Sequence, residues 1–256
     1  MSVPSSVVLS TLEFDVLWES ERFPRRHVAL DVPSPGRTHT ERSQLAEQAW
    51  ASLGQRGLAE NRRATPALVD QLALLASPVR SVDAWIWTDR QISALAVASG
   101  RHALLGVLDG DEVWLIPARD SALAEAAVSV SGSTGAGAGR SVRVPTELLR
   151  EADAKAAGDA ERLVLCLERQ GVVLNQAQQL AGMLNGMSLR GQFGAERVER
   201  DRRVRRAGRV VAFHDTPHGR YLHLVQPSSD GRLWSTIAPT DNQRLASCVW
   251  ELLEEL

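Results

Sequence analysis

One pattern of glycines, aspartates, tryptophans and prolines occurs twice in this chain, and that doubling constrains its fold more than any other feature. In the first copy Gly100-Arg101-His102 opens a strand, Asp109-Gly110-Asp111 turns it, Trp114 lies on the return strand, and Pro117 precedes a helix containing Leu123 and Ala124. In the second, Gly219-Arg220-Tyr221, Ser229-Asp230-Gly231, Trp234, Pro239 and Leu245-Ala246 follow in the same order, at offsets of 119 to 122 residues. Strands joined by such short turns are hairpins, so the sheet they form is expected to be antiparallel.

An amphipathic helix stands before each block. Leu68, Leu72 and Leu75 line one, ahead of a strand from Val82 to Trp87; Ala177, Leu180, Ala181 and Leu184 line the other, ahead of a strand from Leu189 to Val198. Helices, three or four strands and a closing helix, twice over, give the class α+β with a quasi-twofold internal repeat. The expected organisation is a single domain over 1–256, divided into an N-terminal pseudo-repeat at 1–130, a linker at 131–140 and a C-terminal pseudo-repeat at 141–256. The linker assignment rests on the glycine- and serine-rich composition of 131–139, which is that of flexible chain. Helix starts are marked by Ser10 with Glu13 and Thr38 with Glu41, both capping boxes. A further helix is expected from Thr146 to about Ala157, restarting at Gly158-Asp159 and running toward Arg169.

A chain of 256 residues with 44% hydrophobic content can bury a substantial core. Its longest apolar runs fall far short of the roughly 18 to 20 residues that span a bilayer, so no membrane insertion is expected. The N-terminus meets Glu13 and Asp15 before any signal-peptide core, which makes cytoplasmic residence the expectation. Cys166 and Cys248 each fall on a helical apolar stripe and read as small core hydrophobes, without disulfide or metal. A net charge of −2 exerts no global pull toward nucleic acid.

His214, Asp215 and His218 have the side chains of a metal site or a degenerate hydrolase, since imidazole and carboxylate ligate metals and move protons. Turn chemistry accounts for Asp215-Thr216-Pro217-His218-Gly219 more simply. The glycine run lacks a following lysine and does not lead from a strand straight into a helix, so it is no phosphate loop. Arginines 197, 200, 202, 203, 205, 206 and 209 make a basic cluster, the basis for an alternative reading as a nucleic-acid-binding regulator. Against it, no aromatic residue lies between Phe193 and Phe213 to stack on bases, and Glu196, Glu199 and Asp201 dilute the charge. The strand Val82–Trp87 is apolar on both faces, which suits either a covered sheet or a face kept for a partner. Leu180, Met183, Leu184 and Met187 widen the stripe of a helix expected over Leu174–Met187, and methionine adapts to varied surfaces.

From Gly191 to Tyr221 the chain reads Gly191-Gln192-Phe193-Gly194, the arginine cluster, an apolar strand, then Asp215-Thr216-Pro217-His218-Gly219-Arg220-Tyr221. This order and spacing resemble the EspG family, the cytosolic substrate chaperones of actinobacterial type VII (ESX) secretion. The likeness extends weakly over most of the chain, including Glu41-Arg42 and Gly57-Leu58. It implies a central antiparallel sheet flanked by N-terminal and C-terminal helical subdomains, no enzymatic activity and no cofactor. It also implies a PE/PPE-like secreted heterodimer as partner, gripped at its apolar helical tip by the loop between the second and third strands and the C-terminal helical subdomain. That loop maps to Trp87–Gln91 here, so the expected partner contacts are Trp87, Asp89 and Arg90 together with Met183 and Met187. Gln192, Phe193, Asp215, Gly219, Arg220 and Tyr221 are expected to shape turns and anchor the sheet. No nucleic acid is expected, and the oligomeric state is expected to be a monomer or a weak homodimer.

Overall fold

The computed structural model describes residues 6–256, so the first five residues of the N-terminal reading lie outside the described part. The chain divides into two compact units. One comprises the chain up to Trp85, residues 91–130 and residues 196–205; the other comprises residues 86–90, 131–195 and 206–256.

The first unit opens with strand β1 (Val7–Ser10) and helices α1 (Thr11–Ser20) and α2 (His39–Gln55). Both predicted capping boxes form: Ser10 Oγ accepts from the Glu13 amide at 3.1 Å while the Glu13 carboxylate accepts from the Ser10 amide at 2.8 Å, and Thr38 and Glu41 repeat the exchange. A short ladder, β2 (Ala59–Glu60) with β3 (Arg63–Ala64), leads to α3 (Pro66–Ala76), which starts with proline at its first position, where no donor is lost. Strands β4 (Arg80–Trp87), β5 (Gln91–Ser99), β6 (His102–Asp109) and β7 (Glu112–Ala118) then meander, and α4 (Leu123–Ser129) closes the unit. The strand order is β1-β7-β6-β5-β4, with Val8 opposite Trp114 and Gly106 opposite both Leu95 and Leu115. Its core joins Phe14, Leu17, Trp50, Leu53, Leu72 and Leu75 to the inward residues Leu95, Val97, Leu104 and Leu115.

The second unit runs through β8 (Val142–Pro145), α5 (Thr146–Ala156), α6 (Ala160–Arg169) and α7 (Leu174–Leu184). Strands β9 (Leu189–Val198), β10 (Val204–Arg206), β11 (Val211–Thr216), β12 (Gly219–Pro227) and β13 (Leu233–Pro239) follow, and then α8 (Asn242–Glu254); residues 196–205, the end of β9 and most of β10, count with the first unit. The strand order is β9-β11-β12-β13-β8, with β10 paired to β9. The break between α5 and α6 falls where the sequence places it: Ala157 takes a left-handed conformation at φ 49°, and the Asp159 carboxylate caps the restart by accepting from the Arg162 amide. Helix α7 is shorter than the expected Leu174–Met187, because the backbone turns extended at Asn185 and leaves Met187 beyond the helix. Val142, Leu149, Leu163, Leu167, Ala177, Leu180, Met183, Tyr221 and Ile237 form the core between the three helices and one sheet face. Cys248 is buried in α8 and Cys166 half-buried in α6, both free, as small apolar fillers.

A candidate partner-binding groove in the second unit

Antiparallel registration decides which side chains meet in the second unit. Ala212 stands opposite both Gln192 and His223, His214 opposite Arg190, and His223 opposite Ile237. Because side chains alternate along a strand, these residues and Ser235 share one face of the sheet. Above that face stand Thr146, Leu149, Arg150 and Asp153 of α5, Leu184 at the end of α7 and Met187, and Trp87 at the end of β4 lines the same space. Together they enclose a groove of about 550 Å³. A smaller cavity of about 220 Å³ shares Asp153, Leu184 and Met187 with it and continues past Leu163 and Asn185 between the helices.

The groove floor carries little charge. His214 Nε2 donates to the Met183 carbonyl at 2.8 Å, and His223 Nε2 lies 3.1 Å from Ser235 Oγ, whose proton goes to Thr146 Oγ1 at 3.0 Å. Burial lowers the pKa of both imidazoles below the ordinary histidine range; for His223 the neighbouring His214 adds to the effect. Both are therefore neutral at pH 7. Asp215 falls on the opposite face of β11 from His214 and binds Arg220; His218 sits in the β11–β12 turn, its amide donating to Thr216 Oγ1. The sequence neighbours His214, Asp215 and His218 thus do not converge on one point.

Arg220 is fully buried and explains the Asp215–Tyr221 motif. It donates to both oxygens of Asp215 at 2.7 and 2.9 Å, to Ser131 Oγ and the Ser131 carbonyl at 2.7 Å each, and to Asn242. Thr134 Oγ1 gives Asp215 a further bond at 2.9 Å. The run 131–139, flexible linker by composition, is instead an ordered strap over this hairpin. Arg220 donates its amide to the Gly135 carbonyl and accepts from the Gly137 amide, and Tyr221 Oη donates to the Ala138 carbonyl. The glycines serve close approach: a Cβ at Gly137 would stand 2.6 Å from Tyr221 Oη. In the Gly191–Gly194 motif the reason is similar, since a Cβ at Gly191 would stand 2.8 Å from both Phe213 Cζ and Ile86 Cδ1, and without it Phe213 stacks on Phe193 at 5.5 Å.

The expected contact residues separate. Trp87 and Met187, a hundred residues apart in sequence, both line the groove, with the Arg190 guanidinium 5.7 Å from the Trp87 ring centre and Met187 52% exposed. Asp89 and Arg90 are exposed in the tight turn that follows Trp87, where Thr88 Oγ1 donates to Asp89 and holds its carboxyl below the usual carboxylate range. Met183 is only 2% exposed and packs in the helical core, where its carbonyl accepts from His214, so its side chain does not reach the groove surface. Leu149, Arg150, Arg190 and His223 also line the groove, and no sequence motif marked them; only the strand registers reveal that they converge.

Elsewhere, in the first unit, His27, Asp83 and Glu196 bring potential ligand atoms within 4.8 Å of one another. His27 Nδ1 accepts from the Ala29 amide at 3.1 Å, so Nε2 carries the proton and faces Glu196 at 3.5 Å as a donor. The lone pair a metal would need is taken. Within the arginine cluster, the arginines from 197 to 206 are exposed and partly neutralised locally, by Asp201 at 3.3 Å from Arg203 and Glu199 at 3.9 Å from Arg205, whereas Arg209 is half-buried and bound to Glu255 at 2.9 Å.

Antiparallel sheets flanked by helices, with a half-open groove lined by apolar side chains, two neutral imidazoles and Arg190, define an α+β protein with an open cleft. The profile of the EspG family matches residues 10–251, and the chain belongs to that family of type VII secretion chaperones, which is not a family of enzymes. No curated protein matches it. Among solved structures it is similar to the Mycobacterium tuberculosis type VII secretion system chaperone EspG5, determined in complex with a PE25–PPE41 dimer. The likeness has a TM-score of 0.74 at 14% identity, over 95% of this chain and 94% of that one, and is one of fold.

Proposed function

We propose that this protein is a cytoplasmic chaperone for a PE/PPE-like secreted heterodimer, covering the apolar helical tip of the PPE-like partner with the groove of its second unit. The observation that carries this reading is the meeting of Trp87 and Met187 on one half-open apolar groove, beside the exposed turn at Asp89 and Arg90. Covering an apolar tip takes aggregation-prone surface out of water at roughly 25 cal/mol per Å². No cofactor takes part. The same succession in both units, one strand, helices, four meandering strands and a closing helix, supports the quasi-twofold repeat with halves at 1–130 and 141–256. The protein acts as a monomer or weak homodimer.

The test is co-expression with a PE/PPE-like pair encoded in the same genome, followed by affinity purification and size-exclusion chromatography. Met187→Asp and Arg90→Glu alter exposed side chains and leave the core untouched. Each is expected to weaken the complex at least tenfold, about 1.4 kcal/mol, with the unfolding midpoint unchanged. Full retention of the complex by the double variant would refute the groove.

A further inference from the structure

In the hairpin that joins β9 to β10, residues 197–205 contain five arginines against Glu199 and Asp201, a local charge of +3 in a chain whose net charge is −2. All but Val198 are exposed, with the side chains of Arg203 and Arg205 at 86% and 56%. The turn is tight: the Glu199 amide donates to the Arg203 carbonyl at 2.8 Å, the Arg202 amide to the Glu199 carbonyl at 2.9 Å, and Arg202 sits at φ 67°. Among the described residues the only strand paired with β10 is β9.

Two bonds fix the register, Glu199 with Arg203 and Ala195 with Ala207. In an antiparallel ladder bonded positions alternate, so the N–H and C=O of Val204 point away from β9 along the open edge. Side chains alternate as well, placing Arg203 and Arg205 on one face of the strand and Val204, 61% exposed, on the other. Charged residues on a short edge strand commonly guard it against pairing with copies of itself. The same arrangement attracts an edge of opposite charge.

We propose that β10 is a second interaction surface, which captures an extended acidic segment of another protein by strand addition. This surface goes beyond the groove reading and does not depend on it. The fitting segment alternates acidic with β-branched apolar residues, so that carboxylates meet Arg203 and Arg205 while the apolar side chains cover Val204. Main-chain bonds to the edge supply affinity, and the arginine forks supply sign and pattern. Nucleic acid fits less well, because it cannot pair with a strand edge, the hairpin has no aromatic platform, and Glu199 and Asp201 repel phosphate.

The test uses the full chain and a fluorescein-labelled decapeptide of alternating Glu and Val, followed by fluorescence anisotropy at about 50 mM salt. The expected result is saturable binding, weakened at least tenfold by the surface variant Arg203→Ser/Arg205→Ser and, separately, by N-methylation of alternate peptide amides. Circular dichroism checks that the variant remains folded. Absence of peptide binding, binding indifferent to N-methylation, or tighter binding of a single-stranded oligonucleotide of mixed sequence would each overturn the proposal.

Discussion

Replacing Arg220 with methionine tests whether the Asp215–Tyr221 motif works as a clamp. Arg220 is fully buried, and its guanidinium supplies both oxygens of Asp215, two acceptors on Ser131 and the Asn242 side chain. Methionine fills similar space but makes none of these bonds, and leaves a carboxylate with 9% side-chain exposure held by Thr134. Removing one partner of such a pair costs roughly 3 to 5 kcal/mol, most of it from the abandoned charge. For a chain of this size that lowers the melting temperature by roughly 6 to 20 °C, at about 2 to 4 °C per kcal/mol. Urea unfolding followed by tryptophan fluorescence measures the loss, and limited proteolysis should show new cleavage in the strap at 131–139. The double variant Arg220→Met/Asp215→Leu removes the stranded carboxylate and should recover at least half of the loss. A single-variant loss below about 1 kcal/mol, or a double variant no more stable than the single, would refute the clamp.

Other consequences follow from the same packing. Gly191→Ala drives a methyl into Phe213 and Ile86 and should cost about 1 to 3 kcal/mol in urea unfolding, whereas Gly208→Ala, in open space, should cost less than about 1. The lowered pKa values of His214 and His223 make stability depend on pH. In the unfolded chain both take up protons near their ordinary pKa of 6.5, while the folded protein resists protonation until lower pH. Their contribution is thus complete above 6.5 and is lost as pH falls through the lowered values, by up to about 1.4 kcal/mol per pH unit for each imidazole. His223→Gln should flatten the slope of denaturation midpoint against pH between 6.5 and 5, and an unchanged slope would show that this imidazole is not the cause.

Much of the local structure is legible from sequence because it is set by neighbours in the chain. The capping boxes at Ser10 and Thr38, the break at Ala157-Gly158 and the hairpins near Asp109 and Ser229 all depend on residues a few positions apart. The strap was not legible, since glycine and serine have the same composition whether a segment is free or is packed under a tyrosine. What orders residues 131–139 is Arg220, some eighty positions away. The groove was legible in part. A tryptophan ending a two-faced apolar strand and a methionine past a helix both proved to line it, but Met183, one turn earlier, rotates into the core. Helical spacing gives the width of an apolar stripe and not which edge of it a neighbouring sheet covers. Arg190, His223 and Leu149 reach the groove through strand pairing and helix placement, which no local pattern encodes.

Photo-crosslinking shows directly which face of the protein a partner touches. A benzoylphenylalanine placed at Met187, and in a separate variant at Trp114, exposed on the first unit, is irradiated in cells of the native host. Position 187 is expected to yield a covalent adduct with a helical PPE-like secreted protein, identified by mass spectrometry, and position 114 is not. The same adduct from position 114, with none from 187, would contradict the assignment of partner binding to the groove.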